Sequence, residues 1–310
     1  MGDAKRKKEV SVILPAFNEE KTVDEVIERT LRAFKENAID GEIIFVDDGS
    51  TDATPEKANR WSEGSADIRV ITHLKNKGLT EALLTGFKAS GGSVVVFLCT
   101  DMQSDPQEDI PKLVNEIRKG YDVVLGWRQK RRETKVLVSR VYRLFCSMLF
   151  GVDFHDMNWI KAFRSEVAKS FRLHSDWHRY LPILAHGEGY KISEIKTTYH
   201  PRKYGKSRYD FSRIHKGFLD LISVKFHLSF LNRPMLFFGS IGLALLALGL
   251  FIGLVLTVLF FAFGIQIRPA LLLAVLLLLA GLQVLSVGFL GELIVHIDQR
   301  IKKLEDDLGR

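Results

Sequence analysis

Hydrophobic and polar residues alternate in blocks along the N-terminal part of the chain. Five apolar runs have the length and composition of strands: residues 10–17, 42–50, 67–73, 93–98 and 122–126. Apolar residues recur at helical spacing from Val23 to Phe34, and residues 80–90 are also typical of a helix. Strands and helices in alternation predict an α/β fold, with a mostly parallel sheet covered by helices.

The C-terminal third has a different pattern. Residues 234–263 and residues 269–291 contain no charged side chain, and only five residues separate the first span from the second. A helix needs about 20 residues to cross the hydrocarbon core of a bilayer. The pattern predicts a hairpin of two transmembrane helices, with two buried helices of a soluble core as the alternative.

Charges beside the hairpin predict its orientation. Five basic residues flank the two spans, against Arg268 in the connecting loop: Lys225, Arg233, Arg300, Lys302 and Lys303. Because basic residues are enriched on the cytoplasmic side, we expect a multi-pass protein of the cell membrane, or of an endoplasmic-reticulum-type membrane, with its large domain and both termini in the cytoplasm. The N-terminal decapeptide has no apolar stretch behind its charges, so it does not predict a signal peptide.

These patterns divide the chain into four predicted regions. A large N-terminal domain covers residues 1–205, an interface region 206–232, the hairpin 233–297 and a tail 298–310. Within the second region, residues 209–226 place apolar side chains on one helical face, which predicts an amphipathic helix on the membrane surface. An ordinary helix packed on the sheet is the alternative.

Net charge and cysteine content exclude some functions. The chain carries a formal charge of +7, and its basic residues cluster around 128–143 and 202–216. No nucleic-acid-binding motif accompanies them, so their proximity to the predicted membrane favours anionic headgroups as partners. The two cysteines, Cys99 and Cys146, have no zinc-site spacing and would stay reduced in the cytoplasm.

Polar clusters follow three of the predicted strands. They comprise residues 18–20, residues 47–50 and residues 101–105, and each contains carboxylates. In open parallel sheets, ligands bind beyond the carboxyl ends of the strands. We therefore expect the three clusters to converge on one site.

The order of the motifs resembles a known family. The segments LPAFNEE, VDDGSTDAT and NKGLTEALLTGF precede Asp101-Met102-Gln103, as in the inverting family 2 glycosyltransferases, over roughly residues 8–205. With HPRKYGKSRY at 200–209 and the hairpin, the chain is most similar to the polyprenyl-phosphate glycosyltransferases. That group includes dolichyl-phosphate mannose synthases and bacterial undecaprenyl-phosphate glucosyltransferases. The resemblance implies a GT-A-type, Rossmann-like nucleotide-sugar domain.

The resemblance also implies which residues hold the nucleoside. Five residues at the first two strand ends match the base and ribose contacts, with Asp47 adjacent: Pro15, Phe17, Glu19, Val46 and Asp48. Carboxylates accept hydrogen bonds from base N–H groups and ribose hydroxyls. A packing role for Phe17 fits equally well.

The family's metal motif is incomplete here. Asp-Ala-Asp-x-Gln is replaced by Cys99-Thr100-Asp101-Met102-Gln103, and these residues match donor contacts. The resemblance implies that Asp101 and Gln103 ligate Mg²⁺ or Mn²⁺ and that Asp101 is catalytic, whereas the lost first acid faces the sugar nucleotide. Oxygen ligands suit both ions and a thiol does not. Loss of catalysis is the alternative.

Basic residues complete the implied site. Arg128 matches a contact to donor or acceptor phosphate, Lys135 and Ser139 match the lipid-phosphate site, and Arg202 and Arg208 match a loop that closes on the donor diphosphate. Guanidinium groups bind phosphate through two parallel hydrogen bonds.

One acid aligns with a possible catalytic base. Asp156 is the candidate, and a structural carboxylate paired with an arginine is the alternative. A phosphate monoester is already mostly ionised at pH 7, because its second pKa is about 6, so the acceptor has little need of a base.

These features predict a membrane-bound hexosyltransferase. It would move a hexose from a nucleotide sugar of GDP-mannose or UDP-glucose type to a polyprenyl phosphate, with inversion. The alternatives are transfer to another membrane acceptor, in glycolipid or polysaccharide synthesis, and a non-catalytic scaffold that binds a nucleotide sugar. The expected partners are donor, lipid acceptor and bilayer, with no nucleic acid, and the membrane helices could form a homo-oligomer.

Overall fold

The computed structural model describes residues 8–129, 146–171, 177–204, 224–225 and 234–308. The chain divides into two compact units, residues 1–214 and residues 215–310. Several predicted features lie outside the described residues: Lys135, Ser139, Arg208 and the amphipathic segment 209–226 apart from its residues 224–225.

The first unit contains a seven-stranded sheet in the order β3-β2-β1-β4-β6-β5-β7. Its strands are β1 (Val10–Ala16), β2 (Gly41–Asp47), β3 (Ile68–Thr72), β4 (Val94–Phe97), β5 (Val123–Gln129), β6 (Lys161–Arg164) and β7 (Ile192–Thr198). Only β6 is antiparallel to its neighbours among these strands. The mostly parallel sheet is confirmed, and β6 and β7 are additions to the five predicted strands.

Helices cover the sheet, as the alternating pattern predicts. They are α1 (Val23–Glu36), α2 (Thr54–Glu63), α3 (Leu79–Ala89), α4 (Pro106–Arg118), α5 (Ser165–Ser170) and α6 (Leu181–Gly187), with a 3₁₀ turn at Trp177–Tyr180. The apolar stripe of α1 is buried against the sheet, which confirms the helical spacing of Val23, Val26 and Ile27.

The second strand ends earlier than its apolar run suggests. We predicted a strand to residue 50, but β2 stops at Asp47. Gly49 has a φ of +71°, and a Cβ there would lie 2.5 Å from the backbone carbon of Lys75. This left-handed conformation is readily adopted only by glycine and is incompatible with a strand, so the chain turns.

The direction of β6 determines which residues meet at the site edge. Lys161 begins β6 and is opposite Phe97 in β4 and Leu125 in β5. Because β6 is antiparallel, its amino-terminal end lies beside the carboxyl ends of β4 and β5. The preceding loop, residues 155–160, is thereby brought to the edge where ligands bind in parallel sheets.

The second unit contains α7 (Pro234–Phe263) and α8 (Arg268–Leu308). Residues 234–263 and 268–297 are each 30 residues long and apolar enough to cross a membrane. The two helices approach closely at Gly242 and Gly281, where a Cβ on Gly242 would lie 2.8 Å from the carbonyl oxygen of Gly281. Small residues allow such backbone contact between membrane helices.

Candidate active site

Two adjacent carboxylates at the end of β2 have different surroundings. Asp48 accepts hydrogen bonds from the backbone N–H groups of Lys77 (2.9 Å) and Gly78 (2.7 Å), and its Oδ1 lies 2.8 Å from His73 Nδ1. Asp47 Oδ1 accepts from the Ser50 N–H at 3.2 Å. Asp47 Oδ2 is buried and has no hydrogen-bond partner among the described residues. Asp48 therefore stabilises the turn before α3, whereas Asp47 Oδ2 can accept a hydrogen bond from a ligand.

Arg202 joins two carboxylates from different strand ends. Its Nη2 lies 2.9 Å from Glu19 Oε1 and 3.4 Å from Asp101 Oδ2. Burial raises the pKa of both carboxyl groups, and the charge of Arg202 opposes that rise. We call Glu19, Asp101 and Arg202 the acidic half of the site, because it holds two carboxylates and one cation.

Gln103 is held beside Asp101 by the chain around it. Its backbone N–H donates to Asp101 Oδ1 at 3.2 Å, and its carbonyl accepts from the His200 N–H at 2.9 Å. The Gln103 side-chain Nε2 donates to the Tyr199 hydroxyl at 3.2 Å, which orients the amide. The predicted metal ligands, Asp101 and Gln103, thus lie in one short turn.

The donor set fits a hard divalent ion. Burial raises the pKa of the Asp101 carboxyl group, which means that its charged form is destabilised. A cation bound beside Asp101 would stabilise that charged form. Within the described ranges, no cluster of three or more His, Cys, Asp or Glu residues could hold a metal. A bound ion would therefore take its remaining ligands from a donor diphosphate and water, as Mg²⁺ commonly does.

Arg128 and Asp156 form a two-point ion pair. Arg128 Nε lies 2.5 Å from Asp156 Oδ2, and Arg128 Nη2 lies 2.8 Å from Asp156 Oδ1. The guanidinium carbon is 4.5 Å from the centre of the Trp159 ring, and both charged side chains are about nine-tenths buried (11% and 8% exposed). The predicted alternative for Asp156, a carboxylate paired with an arginine, is the arrangement observed.

A buried lysine lies near this pair and was missed by the sequence reasoning. Lys161 is 1% exposed, its Nζ donates to the Trp159 carbonyl at 2.8 Å, and it lies 5.6 Å from the Phe97 ring centre. Burial lowers its pKa to about 8, and the nearby Asp156 carboxylate opposes that shift. We call Arg128, Asp156 and Lys161 the basic half, because it holds two cations and one carboxylate. A lysine inside the apolar run 159–163 was the available signal.

Charged side chains of both the acidic half and the basic half act on the Cys99 thiol. It is half-buried, just beyond the end of β4. Burial raises the pKa of its thiol to about 12; the Asp101 charge adds to that rise, and the charges of Arg128, Lys161 and Arg202 oppose it.

Four further residues were predicted to contact the donor, and they lie within the sheet or just beyond its strands: Pro15, Phe17, Val46 and Thr100. Pro15 and Val46 are buried within the sheet, and the Thr100 hydroxyl donates to the Pro15 carbonyl at 2.9 Å. Thr100 therefore serves the fold through its side chain. Phe17 is half-buried just beyond β1.

Comparison with known proteins identifies the class. The family model for glycosyl transferase family 2 matches residues 11–179. Dodecaprenyl-phosphate galacturonate synthase from Rhizobium johnstonii is 36% identical over 93% of this chain and 88% of its own length. Undecaprenyl-phosphate 4-deoxy-4-formamido-L-arabinose transferase from Pseudomonas aeruginosa is 33% identical, over 91% and 84%.

The chain belongs to glycosyl transferase family 2. It is a glycosyltransferase, and its similarity to polyprenyl-phosphate glycosyltransferases is confirmed. The names of these relatives specify galacturonate and formamido-arabinose, so a GDP-mannose or UDP-glucose donor stays a prediction.

Solved structures confirm the fold. Glucosyl-3-phosphoglycerate synthase from Mycobacterium tuberculosis, in complex with Mn²⁺, UDP and glucosyl-3-phosphoglycerate, has a TM-score of 0.57 and 21% identity. The similarity covers 72% of this chain and 81% of that chain. At this identity it establishes the GT-A-like, Rossmann-type architecture.

Proposed function

We propose that the protein transfers a sugar, with inversion, from a nucleoside-diphosphate sugar to a polyprenyl phosphate. The polyprenyl-phosphate transferases among its relatives support this acceptor, and two helices long enough to cross a membrane would keep the enzyme beside its lipid. The observation that carries the proposal is the division of the site. A half rich in carboxylates suits a metal–diphosphate, and a half rich in cations suits an anionic acceptor.

The donor would occupy the acidic half. Asp47 Oδ2, buried and unpaired within the described chain, would accept a hydrogen bond from the base or ribose. Asp101 and Gln103 would hold Mg²⁺ or Mn²⁺, which neutralises charge on the departing nucleoside diphosphate. Arg202 would exchange its carboxylate partners for diphosphate oxygens, since guanidinium binds phosphate strongly.

The acceptor would approach the basic half. Its phosphate monoester is the nucleophile and is already ionised near neutral pH, because its second pKa is about 6. Arg128, held rigidly by Asp156 and Trp159, would position that phosphate without removing a proton. We assign Lys135, Ser139 and Arg208 to the same reaction as phosphate contacts, on the family resemblance alone.

The reaction is tested with the full chain in detergent. Undecaprenyl phosphate would be incubated with Mn²⁺ and labelled GDP-mannose, UDP-glucose, UDP-N-acetylglucosamine or UDP-galacturonic acid. We expect label to enter an organic-extractable, acid-labile lipid from one of these donors, and Asp101→Ala to abolish it. Transfer that does not depend on added polyprenyl phosphate would favour another membrane acceptor. Nucleotide binding without transfer from any donor would favour a non-catalytic scaffold.

A further inference from the structure

The loop before β6 contacts the end of β5 on both faces of the sheet. Consecutive residues of a strand point to opposite faces, so the side chains of Trp127 and Arg128 have different neighbours. The His155 ring stacks on the Trp127 ring, with centroids 3.8 Å apart and an interplanar angle of 25°. Asp156, the next residue of the loop, pairs with Arg128. Two consecutive loop residues therefore contact two consecutive strand residues, one on each face.

One carboxylate on β7 anchors the first residue of this loop. Glu194 Oε1 accepts a hydrogen bond from the His155 backbone N–H at 2.8 Å, and Glu194 Oε2 lies 2.7 Å from His155 Nδ1. In the parallel pairing of β5 with β7, Glu194 is opposite Leu125. Both the backbone and the ring of His155 are thus fixed by an element outside the loop.

The orientation of Arg128 depends on the same loop. Among the described residues, every hydrogen bond of the Arg128 side chain comes from this loop: two from Asp156 and one, at 3.4 Å, from the Asn158 carbonyl. Because Asp156 directly follows His155, a shift of His155 would move the groups that orient the guanidinium. Exposed charged contacts contribute little to stability, and the His155 side chain is 35% exposed. The contact between Glu194 and His155 therefore acts mainly on the geometry of the loop.

We propose that Glu194 is a positioning residue for the acceptor phosphate. By anchoring His155 it fixes Asp156, and Asp156 orients the Arg128 guanidinium toward the phosphate of the lipid. A misplacement of about 1 Å can cost an enzyme about 100-fold in rate, so such an anchor has a measurable effect. The inference rests on the proposed function only in assigning Arg128 to the acceptor phosphate.

Binding of farnesyl phosphate tests the anchor without turnover. This soluble phosphate monoester with a short prenyl chain would be titrated calorimetrically into the full chain in detergent, with Mn²⁺ and UDP present. We expect Glu194→Ala to weaken its binding about tenfold and to change UDP affinity less than about twofold. Glu194→Gln should retain most of the affinity, because its amide can accept from the His155 N–H and donate to Nδ1.

A double-mutant cycle and a matched control separate positioning from stability. In an Arg128→Ala background, Glu194→Ala should change farnesyl phosphate affinity less than about twofold, because the group that it orients is absent. Asp122 precedes β5 and makes similar contacts there: it accepts from the Lys191 N–H at 2.8 Å and lies 3.2 Å from Arg164 Nε. Asp122→Ala should lower the melting temperature and leave farnesyl phosphate affinity unchanged.

A second variant keeps the test available where Glu194→Ala does not fold. His155→Ala retains the backbone N–H but removes the ring from both Glu194 and Trp127. It should weaken farnesyl phosphate binding about threefold, again only while Arg128 is present.

Several outcomes would overturn the inference. They are unchanged affinity in the folded variants Glu194→Ala and His155→Ala, an equal loss in the Arg128→Ala background, an equal loss in Asp122→Ala, and a Glu194→Gln variant as weak as Glu194→Ala. If Arg128→Ala weakens binding and Glu194→Ala does not, the inference fails and the proposed function stands. Farnesyl phosphate that does not bind the wild-type chain, or binds independently of Arg128, would contradict both.

Discussion

Arg128 and Asp156 are joined through two parallel N···O contacts of 2.5 and 2.8 Å, across 28 residues of chain. The two residues meet because β6 is antiparallel to β5, which places the loop before β6, residues 155–160, beside the carboxyl end of β5. Both oxygens of Asp156 accept hydrogen bonds from Arg128, so the carboxylate is already committed to this pair. Its most direct effect is on the orientation of Arg128.

The pair predicts an order of mutational effects. Arg128→Ala should lower kcat about 100-fold or more, the usual consequence of removing one preorganised charge partner. Asp156→Asn should lower it about tenfold, because the amide oxygen can still orient the guanidinium. Both are measured with polyprenyl phosphate at about pH 8, with donor affinity and thermal melting as controls. A folded Asp156→Asn enzyme that binds donor but is inactive would identify Asp156 as the base.

The two neighbouring acids at the end of β2 should behave oppositely. Asp48→Asn replaces one of the two oxygens that accept backbone N–H groups with an NH2 donor, and should cost about 1–3 kcal/mol of stability. Asp47→Asn should reduce UDP affinity about tenfold with little change in melting temperature, because Asp47 Oδ2 has no partner within the described chain. Calorimetric UDP binding and thermal melting of both variants separate the roles. A reversed pattern would place the nucleoside on Asp48.

The dependence of activity on a divalent metal should require the oxygen ligand Asp101 and should not require the Cys99 thiol. Asp101→Ala should abolish turnover and Mn²⁺-dependent UDP binding, because it removes the only charged ligand of the proposed pair. Cys99→Ala should retain Mn²⁺-dependent binding, since a thiol is a poor ligand for Mg²⁺ or Mn²⁺. Turnover and UDP binding are measured with and without a chelator. Undiminished activity of the wild-type chain in excess chelator would contradict the assignment.

A buried acid in α4 predicts pH-dependent stability. Asp109 is 1% exposed, neither oxygen has a hydrogen-bond partner within the described ranges, and burial raises its pKa to about 7. The folded state therefore binds this proton more tightly than the unfolded state, and the associated stability is lost as pH rises from about 4 to about 7. A shift of this size corresponds to at most about 4 kcal/mol.

Asp109→Asn should remove this loss. We expect the variant to melt roughly 2–6 °C above the wild-type chain at about pH 8, and the difference to shrink at about pH 5. Glu63→Gln, an exposed acid at the end of α2, is the control and should show neither effect. An equal gain at both pH values would show that charge burial at Asp109 is not the cause.

The proposed topology is tested at the turn of the hairpin. In a background with Cys99→Ala and Cys146→Ala, Gln266→Cys should react with an impermeant thiol reagent only from the non-cytoplasmic side. Lys119→Cys, at an exposed position beyond α4, should react only from the cytoplasmic side. Labelling of both from the same side would exclude the hairpin orientation predicted by the flanking charges.

Local patterns in the sequence predicted most of the architecture. Strand and helix periods depend on neighbouring residues, so β1 to β5, α1 and α3 are readable from the chain. The two long apolar helices follow from hydropathy alone. The convergence of Glu19 with Asp101 was also predicted, because the carboxyl ends of parallel strands share one edge.

The tertiary structure decided the pairing of charges. Lys161 begins a four-residue strand whose antiparallel direction has no local signature, so its position beside the end of β4 depends on contacts distant in sequence. Arg202 is 183 residues from Glu19, and its choice of partner depends on where β7 ends. Asp47 and Asp48 look equivalent in the sequence. They differ because only one faces the backbone N–H groups of the turn before α3, whereas the other leaves an oxygen unpaired within the described chain.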